Sequence, residues 1–181
     1  MNKNKNLLLA VTGGISAYKS CEILRLFKKE GINVYVIMTE NATKFVTPLT
    51  FKVLSENPVF IDMFSENKEF SLPHISLSMI CKVMLIAPAT ANIIAKIANG
   101  IADDLVSTIA LAFSKNIYIA PAMNSEMFKN IFFQENLKKL KIAKNIKIIE
   151  PDEGELACGD IGVGRLPDIN KIFQIVIKEF K

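Results

Sequence analysis

The feature that most constrains the fold is a strand–turn–helix–strand pattern at the start of the chain. The run Leu7–Val11 is continuously apolar and ends in Thr12-Gly13-Gly14. Such runs are typical of strands that are buried on both faces of a parallel sheet. Apolar residues at helical spacing follow over 15–30, and Gly31 separates them from a second apolar run at 33–39. This pattern predicts a right-handed βαβ unit and therefore an α/β fold.

The same alternation of apolar runs and helical spacing continues to the end of the chain. Further strands are predicted at 82–87, 117–120 and 146–149, with a short extended piece at 59–61. Helices are predicted at 48–55, 89–98, 105–113, 131–140 and 169–180. No internal repeat and no linker interrupts them. We therefore predict one domain over 1–181, built on a single Rossmann-like doubly wound parallel sheet flanked by helices.

Composition and charge exclude several classes of function. Of the 181 residues, 50% are hydrophobic and 22% are charged, which is typical of a globular domain with a sizeable core. The net charge of +4 comes without a dense stripe of Lys and Arg, so a nucleic-acid partner is not expected. No apolar run approaches the length of a membrane span, and the N-terminal run is too short for a signal peptide.

The cysteines and the one histidine do not form a metal site or a disulfide framework. Cys21, Cys81 and Cys158 are an odd, scattered set without a CxxC pair, and His74 is the only histidine. We expect no metal and a reducing, cytoplasmic location. By itself, a lone histidine is more often a hydrogen-bonded structural residue than a catalyst.

Several predicted strands end in polar or small residues, and the carboxyl ends of parallel strands share one edge of the sheet. Gly13-Gly14-Ile15-Ser16 follows the first strand, Thr39 the second, and Thr90 and Asn92 lie beyond Pro88. Small residues and a Ser hydroxyl at a helix N-terminus suit one phosphate better than a pyrophosphate, which favours a mononucleotide over a dinucleotide. Alternatively, the turn binds nothing, and Thr90 and Asn92 are helix caps.

The segment Pro121–Met127 (PAMNSEM) follows the strand at 117–120 at the same edge. Asn124 offers both a donor and an acceptor, and Met123 and Met127 offer adaptable apolar walls for a ligand. The alternative is a strand-to-helix turn in which Asn124 is only the N-cap. Farther along, 150–167 is a Gly-rich loop of about 18 residues, a length that is usually functional or mobile.

Four stretches, in chain order, resemble a known family: GGISAYK, SLPHISLS, PAMNSEM and ACGDIGVGR. They are similar to the flavin-containing cysteine decarboxylases, and most similar to the phosphopantothenoylcysteine decarboxylases of coenzyme A biosynthesis. The resemblance covers essentially the whole chain, and the PxMNxxM pattern with a downstream ACGDxGxGR loop is its most specific part. Relatives usually have Ser at Thr90, Asn at Asp104 and often Trp at Phe128, so Asp104 lacks an amide donor for the flavin.

The resemblance implies an FMN-dependent lyase that converts 4'-phospho-N-pantothenoyl-cysteine to 4'-phosphopantetheine. In such a reaction FMN would oxidise the cysteine CH2–SH group to a thioaldehyde, and this C=S group would accept the electrons left by CO2. The resulting enethiol would then be reduced again. Alternatives with the same fold are a decarboxylase of peptide C-terminal cysteines and a non-catalytic flavin-binding regulatory subunit. The ACGDIGVGR loop argues against the first of these, and the catalytic residues that are present argue against the second.

The resemblance also implies roles for individual residues. In the reaction, His74 would be the base, Asn124 would bind the substrate carboxylate and Cys158 would protonate the enethiol carbon. Substrate contacts would further involve Met123, Met127, Ala157 and Arg165, and the 150–167 loop would close as a clamp. FMN would be bound by Gly14, Ser16, Thr39, Thr90 and Asn92.

Family members assemble as trimers or as larger shells such as dodecamers. We therefore expect a homo-oligomer, and the sequence leaves open whether His74 acts within its own subunit or across a subunit boundary. Many bacterial relatives fuse this domain to a phosphopantothenoylcysteine synthetase. This chain is accordingly expected to be either a standalone enzyme beside a separate synthetase or one part of a bifunctional protein.

Overall fold

The computed structural model describes residues 5–64, 72–155 and 161–181. Within them a six-stranded, all-parallel sheet has the order β3-β2-β1-β4-β5-β6. Its strands are β1 (Asn6–Val11), β2 (Asn33–Met38), β3 (Val59–Phe60), β4 (Val83–Ala89), β5 (Ile117–Pro121) and β6 (Ile146–Ile148). This strand order, with helices on both faces, confirms the predicted Rossmann-like α/β fold.

The helices cover both faces of this sheet. They are α1 (Lys19–Lys29), α2 (Glu40–Thr43), α3 (Pro48–Ser55), α4 (Pro73–Ile80), α5 (Ala91–Ala98), α6 (Leu105–Ala112), α7 (Ser125–Lys129), α8 (Ile131–Ile142) and α9 (Ile169–Val176). Short 3-10 turns at Ile15–Tyr18 and Ile177–Phe180 precede α1 and follow α9. Among the described segments, no helix combines the length and the apolar character needed to cross a bilayer.

The continuously apolar strands build two cores because successive side chains point to opposite faces. Leu7 and Leu9 of β1 pack with α1, α3 and α9 on one face. Leu8 and Ala10 pack with α4, α5, α6 and α8 on the other. All four of these β1 side chains are fully buried. This explains why the strand lacks the apolar–polar alternation of a sheet with one wet face.

Two predictions about local structure were wrong. β4 does not stop before Pro88 but continues to Ala89, with a shift of register against β5 between Ile86 and Ala89. The shift accommodates a residue that has no backbone N–H to donate.

The segment 150–167, predicted as an irregular loop, contains an antiparallel strand pair. Its strands are β7 (Asp152–Glu155) and β8 (Ile161–Arg165). We call this pair the hairpin. β8 packs against α7, so the described part of this Gly-rich segment contacts the rest of the domain.

Candidate functional site

A large cleft lies at the carboxyl ends of β1 and β4. The chain leaves these neighbouring strands toward opposite faces of the sheet, and ligands of open α/β sheets bind at such a point. The cleft has a volume of about 910 Å³, large enough for a cofactor and a small substrate. Of the twelve residues predicted for the site, nine line it: Gly14, Ser16, Thr39, Thr90, Asn92, Met123, Asn124, Met127 and Arg165.

The glycine turn forms one end of the cleft. A Cβ atom at Gly13 would lie 2.5 Å from Asn41 Cβ, so only glycine allows this close packing against α2. A Cβ atom at Gly14 would meet no backbone and would come within 3.8 Å of Thr90 Cγ2. It would therefore occupy cleft space, which glycine leaves for a ligand. Gly14 is also the N-cap of the turn Ile15–Tyr18, so an anion can approach the N–H groups of this turn closely.

The two predicted threonines serve as helix caps at the cleft wall. Thr39 Oγ1 accepts a hydrogen bond from Ala42 N–H at 3.3 Å, and Thr90 Oγ1 accepts one from Ile93 N–H at 3.4 Å. Thr90 is therefore a helix cap, as the alternative interpretation of the sequence had it, whereas Asn92 lies inside α5 and Thr39 is a cap that was not predicted. A hydroxyl that accepts in this way still has its own O–H to donate. Capping and ligand binding are thus compatible for both residues.

The segment after β5 forms the opposite wall. Asn124 is the N-cap of α7, and its Oδ1 accepts a hydrogen bond from Glu126 N–H at 2.8 Å. Met123 N–H donates to Gly164 O of β8 at 2.9 Å. A Cβ atom at Gly164 would lie only 2.5 Å from Met123 O. The hairpin therefore rests directly on the Met123–Asn124 backbone and helps to hold Asn124 at the cleft.

Arg165, at the end of β8, is exposed and lines the cleft. Its pairing partner in the hairpin is Asp152, whose carboxylate accepts from Lys171 Nζ at 2.7 Å and from Asp168 N–H at 2.7 Å. Partial burial acts to raise the pKa of Asp152, but these hydrogen bonds and the charges of Lys171 and Arg165 lower it. The base of the hairpin is therefore held by an ionised carboxylate.

An ion-pair cluster that the sequence analysis did not identify lies at the same cleft, which two of its members, Lys96 and Asp104, line. Lys96 Nζ lies 2.7 Å from Asp103 Oδ1 and 2.6 Å from Asp104 Oδ2. Hydrogen bonds from Lys96 to Asp103 and then to Asp104 raise the pKa of the ammonium group. Lys96 is the only charged residue in the apolar helix α5, and in the sequence this charge was the one indication of the cluster.

Asp104 also has a structural role. It caps α6 by accepting from Ser107 N–H at 2.8 Å, and Ser107 Oγ in turn accepts from Asp104 N–H at 3.3 Å. The Asp104 carboxylate is therefore engaged both as a helix cap and by the ammonium group of Lys96.

Three predicted residues are not in this group of nine. His74 is the second residue of α4, which packs against α6, and it does not line the cleft of its own chain. Its Nδ1 atom is buried and has no hydrogen-bond partner among the described residues. Ala157 and Cys158 lie outside the described residues. In the described segments, no group of three or more His, Cys, Asp or Glu residues is arranged to hold a metal ion.

Comparison with known proteins identifies the family. The model of the family described as Flavoprotein matches residues 1–181. The chain belongs to this Flavoprotein family.

A Streptococcus mutans protein described as a probable phosphopantothenoylcysteine decarboxylase is 41% identical over 172 residues, covering 94% of this chain and 96% of that protein. A bifunctional coenzyme A biosynthesis protein, CoaBC of Borreliella burgdorferi, is 44% identical over 180 residues, which are 99% of this chain and 46% of that protein. The chain thus spans about half the length of most of the curated relatives that it matches.

Solved structures of other family members share the fold. One is a cysteine-to-serine mutant of a PPC decarboxylase in complex with pantothenoylaminoethenethiol; its TM-score is 0.83 at 31% identity, covering 94% of this chain and 95% of that chain. Another, the FMN-binding protein AtHal3, has a TM-score of 0.80 at 31% identity, covering 96% of this chain and 95% of that chain.

Proposed function

We propose that this domain catalyses the FMN-dependent decarboxylation of 4'-phospho-N-pantothenoyl-cysteine to 4'-phosphopantetheine. The observation that carries the proposal is the convergence of nine predicted residues, from segments far apart in the chain, on one cleft. The similarity to a phosphopantothenoylcysteine decarboxylase over nearly the full length of both chains supports the choice of substrate.

The residues of the cleft fit FMN. Gly14 leaves room at the glycine turn, and Ser16 and Thr39 lie beside it, so these three residues would hold the phosphate. Thr90 and Asn92 at the start of α5 would hold the ring, because hydroxyl and amide groups can pair with the polar edge of a heterocycle. When bound, FMN supplies a two-electron oxidant for the CH2–SH group and later returns the electrons to the enethiol.

The other residues of the site would handle the substrate and its protons. The Asn124 amide N–H would donate to the substrate carboxylate while its Oδ1 caps α7. Met123 and Met127 would form the apolar wall beside the reacting carbon. Arg165, carried by the hairpin, would cover the bound substrate and help to exclude water. On the segment between β7 and β8, Ala157 would contact the substrate and Cys158 would donate the proton to the enethiol carbon.

His74 would accept the thiol proton, because an imidazole nitrogen can act as a general base. Its position outside the cleft of its own chain supports a homo-oligomer, a trimer or a dodecamer, in which His74 reaches the cleft of a neighbour. Leu72, Ile75 and Met79, on or next to the same helix, have exposed side chains. Such apolar groups are suited to burial at a subunit interface. We place this oligomer in the cytoplasm, beside or fused to a phosphopantothenoylcysteine synthetase.

A second candidate reaction is the decarboxylation of a peptide C-terminal cysteine. The solved structure described as peptidyl-cysteine decarboxylase EpiD has a TM-score of 0.79 at 27% identity. That identity is well below the 41% shared with the phosphopantothenoylcysteine decarboxylase homologue. Decarboxylation of a peptide is therefore treated as an alternative that the experiment below can detect. The same experiment can also detect a regulatory subunit without enzymatic activity.

The test is CO2 release from three compounds by purified protein supplied with FMN. We expect rapid release from 4'-phospho-N-pantothenoyl-cysteine, much slower release from the compound without phosphate, and none from a peptide that ends in cysteine. Preference for the peptide would replace the proposed substrate. Absence of CO2 from every compound, with FMN bound, would favour a regulatory subunit.

A further inference from the structure

Thr12 is a fully buried polar residue at the point where the cleft opens, and none of the roles above uses it. It directly follows β1 and precedes the glycine turn. Its Oγ1 donates to Pro88 O at 2.7 Å and accepts from Thr90 N–H at 3.0 Å. One hydroxyl therefore connects the end of β1 to both sides of Ala89, the last residue of β4.

This connection lies beyond the regular pairing of the two strands. The register of β1 and β4 runs from Leu7 opposite Val83 to Ala10 opposite Ile86. After that point the chains diverge toward opposite faces of the sheet, as they must to form a crevice. The Thr12 side chain replaces the backbone bonds that a continuing ladder would have made, because buried C=O and N–H groups need partners.

The two segments that Thr12 joins, β1 with its glycine turn and the end of β4 with the start of α5, form neighbouring parts of the cleft wall. Gly14, two residues after Thr12, is part of the turn assigned to the phosphate. Thr90 caps α5 and begins the part assigned to the ring. A Cβ atom at Gly14 would already lie 3.8 Å from Thr90 Cγ2, so a small relative movement of the two segments would change the shape of the site.

We propose that Thr12 is a positioning residue for the cofactor, which fixes the spacing between the phosphate turn and the start of α5 without contacting the ligand. The inference rests on the proposed FMN site. Replacement of Thr12 by the isosteric valine would leave Pro88 O and Thr90 N–H without this partner, while keeping the side-chain volume. FMN affinity should therefore fall, in addition to any loss of stability.

Ser20 provides a matched control. It is also fully buried, and its Oγ donates to Ala87 O at 2.7 Å, one residue before the Pro88 carbonyl. Ser20 does not bond to Thr90, and it does not line the cleft. Ser20→Ala thus removes a similar buried hydrogen bond to the same strand without releasing α5.

The experiment compares wild type, Thr12→Val, Thr12→Ser and Ser20→Ala by urea unfolding without FMN and by FMN titration with flavin fluorescence. We expect Thr12→Val and Ser20→Ala both to lose stability, the former more than the latter because Thr12→Val removes two buried hydrogen bonds and Ser20→Ala removes one. Among these variants, the FMN Kd should rise about tenfold or more only in Thr12→Val. Thr12→Ser, which keeps the hydroxyl, should bind FMN nearly as well as wild type. An unchanged Kd in Thr12→Val, or an equal rise in Ser20→Ala, would overturn the inference. Failure of the wild type to bind FMN would instead overturn the proposed function, and the inference with it.

A measurement on the wild type does not depend on any variant folding. Hydrogen exchange of the Thr90 amide in the FMN-free protein should be slow, comparable to that of Met84 N–H, which donates to Asn116 O within the sheet. Rapid exchange of the Thr90 amide would show that the bridge is not maintained, and it would contradict the proposal.

Discussion

Asn124 combines a structural and a proposed chemical role in one side chain, and the two can be separated by substitution. Its Oδ1 caps α7 through Glu126 N–H. Aspartate caps helices as well as asparagine does, but it has no N–H to donate and its charge repels a carboxylate. Asn124→Asp should therefore retain stability and FMN binding and lose most CO2 release.

Asn124→Ala is the matched comparison. Loss of the cap should reduce the free energy of unfolding by about 0.5–2 kcal/mol, and activity should fall as well. Urea unfolding and CO2 release on the same preparations separate the two effects. If Asn124→Asp keeps wild-type activity, the residue is only a helix cap.

The sequence indicated the site residues well where they directly follow strands that end at one edge of the sheet. It indicated them poorly where their role depends on side chains brought close by helix packing. The carboxyl ends of β1, β2, β4 and β5 share one edge, so Ser16, Thr39, Thr90 and Asn124 were predictable as neighbours. Lys96 was not, because its role depends on Asp103 and Asp104, which approach it only through the packing of α5 against α6. The position of His74 outside its own cleft likewise depends on tertiary packing that no local pattern encodes.

The hairpin is the element that the sequence predicted least well, and its glycines provide a test of its role. Gly164 has a φ of +130°, and a Cβ atom there would lie 2.5 Å from Met123 O. Gly164→Ala should push β8 away from the Met123–Asn124 backbone. We therefore expect a higher KM for the substrate together with reduced stability.

Gly31 is a suitable control for Gly164. It also has a positive φ, +69°, but a Cβ atom there would meet nothing within 4 Å. Gly31→Ala should cost about 1 kcal/mol of stability from backbone strain alone and leave the KM unchanged. An unchanged KM in Gly164→Ala would show that docking of the hairpin does not position the substrate wall.

The physical reason why the hairpin was not predicted also explains why the end of β4 was predicted wrongly. Glycine-rich segments read as loops because glycine has little intrinsic preference for strands, yet Gly162 and Gly164 are required here by close approach to Ser125 and Met123. Pro88 read as a stop because it cannot donate a ladder hydrogen bond. In both places, contacts between residues distant in sequence outweighed the local preference of glycine and proline against strands. The apolar runs of β1 and β5, in contrast, were sufficient by themselves to predict those strands.

For the molecule as a whole, a polar cluster joins the C-terminal turn to the sheet and should make stability depend on pH. Glu179 Oε1 accepts from Tyr118 Oη at 2.6 Å and from Asn116 Nδ2 at 2.9 Å, with Lys147 Nζ at 3.3 Å. Partial burial acts to raise the pKa of Glu179, but hydrogen bonds from these residues lower it below its ordinary value. The cluster should therefore stabilise the fold fully above the unfolded-state pKa of about 4.3 and lose that contribution as pH falls through the lower folded-state pKa.

Glu179→Gln tests whether the stability contributed by this cluster is lost as the pH falls. The variant should be less stable than wild type by about 1 kcal/mol at pH 7, and the difference should shrink toward pH 3. Glu135→Gln, which changes an exposed glutamate on α8, should show no such pH-dependent difference. A difference that grows on acidification would contradict the assignment of an ionised Glu179. Urea unfolding across the pH range provides the measurement.

The proposed assembly can be tested by mixing two inactive variants. If His74 serves the cleft of a neighbouring subunit, a mixed oligomer of His74→Asn and Asn124→Asp chains contains some sites with both residues intact. Random equal mixing should restore roughly a quarter of wild-type CO2 release. Each variant measured alone is the control. If mixing restores nothing although mass analysis shows mixed oligomers, His74 acts within its own chain or not at all.

The central claim is that the cleft between β1 and β4 holds FMN in a defined orientation, and an experimental structure of the protein with FMN tests it most directly. The account predicts the phosphate at the turn beside Gly14 and Ser16, and the isoalloxazine ring beside Thr90 and Asn92. FMN bound outside this cleft, or with its ring at the glycine turn and its phosphate beside Asn92, would contradict the account.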